Sequence, residues 1–333
     1  MENNNNFVKS LNLWDAVAIV AGAMIGSGIF IVASDVARQV DSVWLILLVW
    51  VVAGIMTLCG ALSYGEYAAS WPEAGGQYVY IKNVWGKLTG FLYGWTVFTV
   101  MQTGGIAAVC VAFAKFAAIL CPLISSNIKL FSFHGFSIST LQAVAIALLI
   151  TITYINSKGV KAGVTVQNIF TAAKIVSLLA IIIFGLCFGL NPQIIAENMA
   201  HTPSHPDHIN VLSLVAIALV GALFSSDAWN NVTFIAGEIK DASKNLPRAL
   251  LIGTGIVTIL YLLTNLTYLS ALSIESIKTA PEDLVAASLI GTVMGSGGKI
   301  VIALIVMVSA IGCANGMILA GARLFYAMAK DGL

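Results

Sequence analysis

Charge is what this sequence has least of: only 9% of its 333 residues are Asp, Glu, Lys or Arg, against about 25% in soluble domains. Hydrophobic residues make up 59% of the chain, and the mean hydropathy is +0.94. The formal net charge is +1, and no basic run is interleaved with aromatic residues, which argues against a nucleic-acid partner. The composition excludes an ordinary soluble domain and predicts an integral membrane protein that contacts membrane lipid.

Cysteine and histidine are also sparse. The five cysteines are scattered without a CxxC or Cys/His spacing, so we expect no disulfide framework, no metal site and no cofactor. Three of the four histidines lie in one loop over 191–210: His201, His205 and His208. Because Pro203 and Pro206 in this loop argue against one ordered helical face, we interpret it as a solvated loop, with metal binding or pH sensing as the alternative.

Long apolar runs dominate the remainder of the sequence. A helix needs about 20 apolar residues to cross a bilayer, and eight stretches approach or exceed that length, roughly over 13–37, 43–70, 86–120, 139–157, 162–190, 211–236, 248–271 and 299–328. The polar segment from Met1 to Ser10 leads into the first stretch without a small-residue cleavage site, which predicts that the first span is retained. We expect one transmembrane domain over 1–333.

Lys and Arg residues predict the orientation. With the N-terminus in the cytoplasm, ten of them fall on the inner side: Lys9, Lys82, Lys87, Lys158, Lys161, Lys240, Lys244, Arg248, Arg323 and Lys330. Four fall on the outer side: Arg38, Lys129, Lys278 and Lys299. This bias is typical of a multi-pass protein of the cell membrane with a cytoplasmic N-terminus.

Two strings interrupt the apolar runs: Gly22-Ala-Met-Ile-Gly-Ser-Gly-Ile-Phe30 and Gly221-Ala-Leu-Phe-Ser-Ser-Asp-Ala-Trp229. Backbone N–H and C=O groups in hydrocarbon need partners, so a broken helix at membrane depth is tolerated where it lines a cavity or touches a ligand. Both strings begin with Gly-Ala. The first lies in the first predicted span and the second in the sixth, five spans later, so the chain enters these two spans from opposite sides of the membrane. This favours an inverted repeat with one shared site. Chance similarity and a GxxxG packing face at Gly22 and Gly26 are the alternatives.

A break at Gly26-Ser27-Gly28 frees N–H groups at the start of the outer half-helix. Because a helix N-terminus carries about half a positive charge, it suits a carboxylate. The carbonyl groups freed at the two breaks can accept hydrogen bonds from an ammonium group; they belong to Ala23, Met24, Ile25, Phe224 and Ser225. A carboxylate site beside an ammonium site describes an α-amino acid.

Three further side chains at membrane depth are candidates for function. Lys174 lies in the middle of the fifth span, where its ammonium can take the place of a coupling cation between the first, fifth and eighth spans or carry a proton, unless it snorkels to the surface. Asp227 can hold the substrate ammonium or cap the helix that follows the second break. Phe224 stands beside that break, where its ring can close over a ligand as a gate or simply pack.

The first string resembles the first-span signature of the amino acid–polyamine–organocation (APC) transporters, in particular their L-type amino acid transporter branch and its bacterial homologues. Further matches run through most of the chain: Ser63 to Glu66, Pro72 to Tyr80, Asn168 to Lys174, Phe224 to Asn230, Glu238 to Arg248, and Ser309 to Phe325.

The resemblance implies an all-α membrane protein with the leucine-transporter (LeuT) inverted-repeat fold and broken first and sixth helices. Spans 1–5, about 13–190, correspond to the first repeat, and spans 6–8, about 211–328, to an incomplete second one. It also implies that Ser27 and Gly28 bind the substrate carboxylate, that the carbonyls of Met24 and Phe224 accept from its ammonium, and that Phe224 is the outer gate. The fifth-span Lys174 stands where relatives bind sodium.

Three features depart from the family pattern. Members usually have about twelve spans against eight here, and Ser226 and Ala228 replace residues that are commonly aromatic and glycine. Cys121 with Pro122 resembles the cysteine through which animal members join a heavy chain, but nothing else in the sequence indicates such a partner, and none is expected.

The function predicted from the sequence is secondary active transport of small or medium neutral L-amino acids by alternating access. The resemblance implies sodium-independent exchange or proton-linked uptake. The alternative is an amine or basic amino acid antiporter, which calls for a second acidic group near the site besides Asp227. An ion channel or an intramembrane hydrolase fits less well, because the spans contain no charged pore ring and no histidine to activate a nucleophile; we expect no enzyme activity.

Overall fold

The computed structural model describes residues 8–133, 136–203, 210–295 and 297–332. The fold is mostly helical, with α1 (Leu13–Met24), α2 (Gly28–Val40), α3 (Val43–Ser70), α4 (Gln77–Trp85), α5 (Lys87–Thr96), α6 (Gln102–Leu120), α7 (Thr140–Ser157), α8 (Val160–Phe184), α9 (Pro192–Ala200), α10 (Val211–Ser225), α11 (Asn231–Phe234), α12 (Ala242–Ala271), α13 (Ile274–Lys278), α14 (Val285–Met294) and α15 (Gly297–Lys330). Short π-helical turns at Val97–Met101 and Gly185–Gly189 follow α5 and α8, and 3-10 turns lie at Ala236–Glu238 and Pro281–Asp283.

One small element departs from the all-helical prediction. Strands β1 (Lys129–Phe133) and β2 (Phe136–Ser139) pair as an antiparallel hairpin between α6 and α7. Sequence reasoning treated this stretch as a connection between two spans, and the hairpin satisfies its backbone hydrogen bonds locally.

Six continuous helical segments are long and apolar enough to cross a membrane, and α1 with α2, bent by 45° at a short break, counts as a seventh. These segments correspond to seven of the predicted spans. The remaining predicted span, 211–236, is not continuous: α10 has 15 residues, and after a break the chain forms only the four-residue helix α11. By length the described structure therefore has six or seven spans rather than eight.

Local sequence sets the limits of the first two helices. Asn12 begins α1 with a capping box, in which its side chain accepts from the amides of Trp14 and Asp15 while the Asp15 carboxylate accepts from the Asn12 amide. α2 ends at Asp41, which is in the left-handed conformation (φ 43°) and donates its N–H to Ala37. The broken helix is thus fixed at both outer ends.

Small residues allow the neighbouring helices to approach α1 closely. A Cβ atom on Gly22 would lie 1.9 Å from the Thr171 hydroxyl oxygen on α8, and one on Gly253 of α12 would lie 2.5 Å from Val20. The packing-face interpretation therefore holds for Gly22. It does not extend to Gly26, since a Cβ there would meet nothing closer than 3.9 Å.

Candidate functional site: the junction of two helix breaks

The first break lies where the sequence predicts it. α1 ends at Met24, Ile25 is extended, and α2 begins at Gly28. Ser27 occupies the N-cap position of α2 but its side chain makes no capping hydrogen bond. The N–H groups of the first turn of α2 consequently face the break without a side-chain cap, which is the local geometry that favours an anion.

The second break begins later than the sequence suggests. Phe224 and Ser225 were expected in the unwound stretch, but they form the last turn of α10, and the non-helical residues are 226–230. Apolar helix formers continue up to Phe224, so the helix persists until the Ser225-Ser226-Asp227 sequence. Ala228 then adopts a left-handed conformation (φ 68°), which ordinarily favours glycine.

The two breaks meet in the core. A Cβ atom on Gly28 would lie 2.5 Å from the Ser225 Oγ atom and 3.1 Å from its Cα. The hydroxyl of Tyr261, on α12, lies 3.0 Å from the Met24 carbonyl oxygen and 3.1 Å from that of Ser225. We call this region, formed by residues 23–28 and 224–227, the junction.

Neighbouring side chains already contact the carbonyl groups that were predicted to accept an ammonium. Besides the Tyr261 hydroxyl, Ser309 on α15 donates to Ile25 O at 2.9 Å, and the Cys313 thiol lies 3.8 Å from Ala23 O. Phe224 O accepts from the Asp227 amide at 3.3 Å. Each carbonyl oxygen has two lone pairs, so these contacts orient the junction and leave acceptor capacity for a ligand.

Sequence reasoning missed Tyr261, Ser309 and Cys313 as neighbours of the junction. A hydroxyl group in the middle of an apolar span was a signal for Tyr261 and Ser309, because buried hydroxyls need partners. The Ser225 hydroxyl has none: Ser225 is only 5% exposed, and its Oγ is buried without a hydrogen-bond partner among the described residues. It lies against Gly28, where an added Cβ atom would be 2.5 Å away.

Lys174 lies next to the junction. Its side chain is 1% exposed, and its Nζ atom donates to Gly22 O at 2.7 Å. On the other side, a Cβ on Gly312 of α15 would lie 2.9 Å from Lys174 Cε. The ammonium is therefore buried among α1, α8 and α15 and does not snorkel.

Asp227 and Phe224 line a cavity of about 360 Å³ beside the second break, and its walls include Thr57 and Trp229. Asp227 is exposed and is not the cap of α11, because Asn230 holds that position and no side chain caps the helix. The capping alternative for Asp227 is wrong. The Phe224 ring is 76% exposed, so in this conformation it is not closed over a buried ligand.

Comparison with known proteins identifies the family. A family model described as amino acid permease matches residues 11–333. The chain belongs to this family. Together with the apolar helices, this membership makes it a multi-pass membrane protein, and the resemblance seen in the sequence is confirmed.

Individual relatives agree with the family assignment. The chain is 33% identical over 335 residues to large neutral amino acids transporter small subunit 2 of Mus musculus, an alignment that covers 97% of this chain and 59% of that protein. The Homo sapiens protein of the same name is also 33% identical, with 97% and 58% covered. The b(0,+)-type amino acid transporter 1 of Mus musculus is 30% identical over 328 residues, with 97% and 63% covered. The chain thus spans about three fifths of the length of these relatives.

Proposed function

We propose that this amino acid permease is a secondary active transporter, not an enzyme, that moves small or medium neutral L-amino acids by alternating access. The adjacency of the two breaks is the observation that carries the proposal. It brings the uncapped start of α2 within reach of the unpartnered Ser225 hydroxyl and of carbonyl groups from both breaks. A zwitterion with a carboxylate at Ser27 and Gly28 and an ammonium at the carbonyls of Met24 and Phe224 satisfies both sets of groups.

The same proposal includes the LeuT-type inverted repeat and the placement in the cell membrane with a cytoplasmic N-terminus. Phe224 is the outer gate in this scheme. Ala23, Ile25, Gly26 and Ser225 complete the ligand contacts. A heavy-chain partner through Cys121 is not part of the proposal; this cysteine caps the end of α6.

Asp227 favours a second candidate, transport of amines or basic amino acids. Its exposed carboxylate lines the cavity beside the junction, and Trp229 and Phe224 bring aromatic rings to the same cavity. A carboxylate flanked by aromatic rings suits a cationic side chain. Neutral substrates remain the first candidate because the junction itself matches the backbone groups common to all α-amino acids.

Uptake and counterflow in liposomes, with a panel of labelled neutral, acidic and basic amino acids and amines, test the proposal. We expect saturable movement of neutral L-amino acids. Preferential movement of lysine or arginine that is lost in Asp227→Asn selects the second candidate. If no member of the panel moves, the transporter proposal fails.

Lys174 is expected to make uptake independent of sodium. Its ammonium already supplies a buried positive charge to Gly22 O, and a second cation at that distance is repelled. Uptake by the unmodified chain should be equal in sodium and choline media, whereas Lys174→Met should lose most of it. Ser177→Ala, on the same helix, removes only a bond to Ala173 O and should leave uptake unchanged. A sodium requirement with Lys174 present contradicts this role.

A further inference from the structure

A cluster of ionic contacts ties the end of α2 to the segment between α12 and α14. Arg38 donates to Asp283 Oδ1 at 2.6 Å and to Lys278 O at 3.0 Å. Lys278 Nζ in turn lies 3.1 Å from Asp41 Oδ1. Beneath these pairs, the buried Ser34 hydroxyl lies 3.2 Å from Asp283 Oδ1.

A third segment reaches the same carboxylate. His201, which follows α9, places Nε2 2.9 Å from Asp41 Oδ1. Asn198 anchors this segment: its side-chain amide donates to Leu269 O and Leu272 O and accepts from the Ile274 amide. His201 is therefore held against Asp41 by buried hydrogen bonds.

We propose that Arg38, Asp41, His201, Lys278 and Asp283 form a latch that holds α2 to α13, and that protonation of His201 tightens it. The proposal rests on the transporter function, in which α2 is the outer half of the broken first span and must separate from α13 when the outer path opens. The Asp41 side chain is 4% exposed. A second cation beside this nearly buried carboxylate strengthens the contact, whereas a neutral imidazole offers only a hydrogen bond.

Hydrogen bonds favour the charged forms of two other groups of the latch. The hydrogen bond from Arg38 lowers the pKa of the Asp283 carboxyl. Partial burial opposes the charge on Lys278, but its hydrogen bonds to Asp41 and Glu275 outweigh burial and raise the pKa of its ammonium.

Two further carboxylates face the latch: Asp35 lies 3.7 Å from Arg38, and Glu275 lies 3.2 Å from Lys278. Carboxylic acids lose their charge at more acidic pH than histidine does. Histidine is the side-chain type whose charge ordinarily changes between about pH 5 and 8.

A thiol placed under the latch measures its opening. We would introduce Ser34→Cys into the complete chain with Cys59, Cys121 and Cys187 replaced by serine, and follow labelling by a membrane-impermeant thiol reagent. Ser34 is fully buried, so labelling requires the latch to open. At about pH 5.5, this protein should label about threefold more slowly than the same protein carrying His201→Gln, the factor that a weak ion pair supplies. At about pH 8, the two should label at equal rates.

The parent and the His201→Gln variant are compared at the same pH, so the effect of pH on the reactivity of the thiol cancels. Glu197→Gln, on the exposed surface of α9, is the matched control and should label like the parent at both pH values. Equal labelling of parent and His201→Gln at pH 5.5 would overturn the proposal. If the Ser34→Cys protein does not fold, thermal unfolding is measured instead on the chain that keeps Ser34. The unfolding midpoints with and without His201→Gln should then differ more at pH 5.5 than at pH 8. The absence of such a difference would also overturn the proposal.

Both measurements are independent of transport. If the latch depends on pH but the chain moves no amino acid, the latch proposal stands and the transporter proposal fails. If the chain transports amino acids but His201→Gln changes neither labelling nor unfolding, the transporter proposal stands and the latch proposal fails. His205 and His208, the other histidines of this loop, lie outside the described residues.

Discussion

Gly28→Ala should lower the affinity for the transported amino acid by about 10- to 100-fold, the cost expected when one methyl group is forced into a packed contact. The new Cβ would lie 2.5 Å from Ser225 Oγ and 3.1 Å from Ser225 Cα. The hydroxyl can rotate away, but the Cα atom belongs to the last turn of α10 and cannot. The substitution therefore separates α2 from α10 at the place where the substrate groups of both must converge, and Gly28→Leu should abolish binding.

Gly255→Ala is the matched control for this prediction. Gly255 lies on α12, outside the junction, and a Cβ there would meet nothing within 4 Å. We expect affinity within about threefold of the parent, because no atom has to move. Equilibrium binding of the amino acid selected in the uptake panel, measured on purified protein, distinguishes the two variants. Equal affinity of Gly28→Ala and Gly255→Ala would refute the junction as the binding site.

Arg323→Met should lower the free energy of unfolding by about 3–5 kcal/mol, as expected when one partner of a buried ion pair is removed. Arg323 Nε donates to Glu238 Oε1 at 3.0 Å, and the Glu238 side chain is 1% exposed. The second carboxylate oxygen, Oε2, is buried without a partner among the described residues. Without Arg323 this charge would lose its direct counter-ion. The Glu238 carbonyl also accepts from the amides of Ser10 and Leu11, so the N-terminal segment should loosen as well.

Two further variants make this prediction specific. Removing both charges in Arg323→Met with Glu238→Met should recover most of the lost stability, since apolar side chains of similar size replace a buried pair at little cost. Lys82→Met breaks the more exposed pair with Asp331 and should cost about 1 kcal/mol or less. Reversible unfolding in mixed micelles, followed by circular dichroism, gives the three free energies. A loss no larger for Arg323→Met than for Lys82→Met would contradict the buried-pair argument.

Much of the architecture was predictable from the sequence because membranes impose a simple rule on composition. Apolar length located seven of the spans, and the Gly26-Ser27-Gly28 string located the first break. The second break was predicted about two residues too early. Apolar helix formers continue through Phe224, so α10 persists until the Ser225-Ser226-Asp227 sequence.

The candidate site was less predictable. The sequence singled out Gly28, Ser225 and Lys174, but not the side chains that partner the released carbonyls. Tyr261 is 36 residues from Ser225 and 237 from Met24 in sequence, and nothing local relates them. The latch was hidden for the same reason: His201 and Asp41 are 160 residues apart.

Composition alone indicates a membrane protein, and short-range conformational preference indicates where the first helix breaks; the family is recognised from the resemblance of its motifs and from the match over residues 11–333. Tertiary structure alone decided that the two breaks touch, that Lys174 is buried against Gly22, and that Arg323 neutralises Glu238. These contacts depend on how helices that are distant in sequence pack against one another. The positions of such groups along the chain do not indicate how close they are in space.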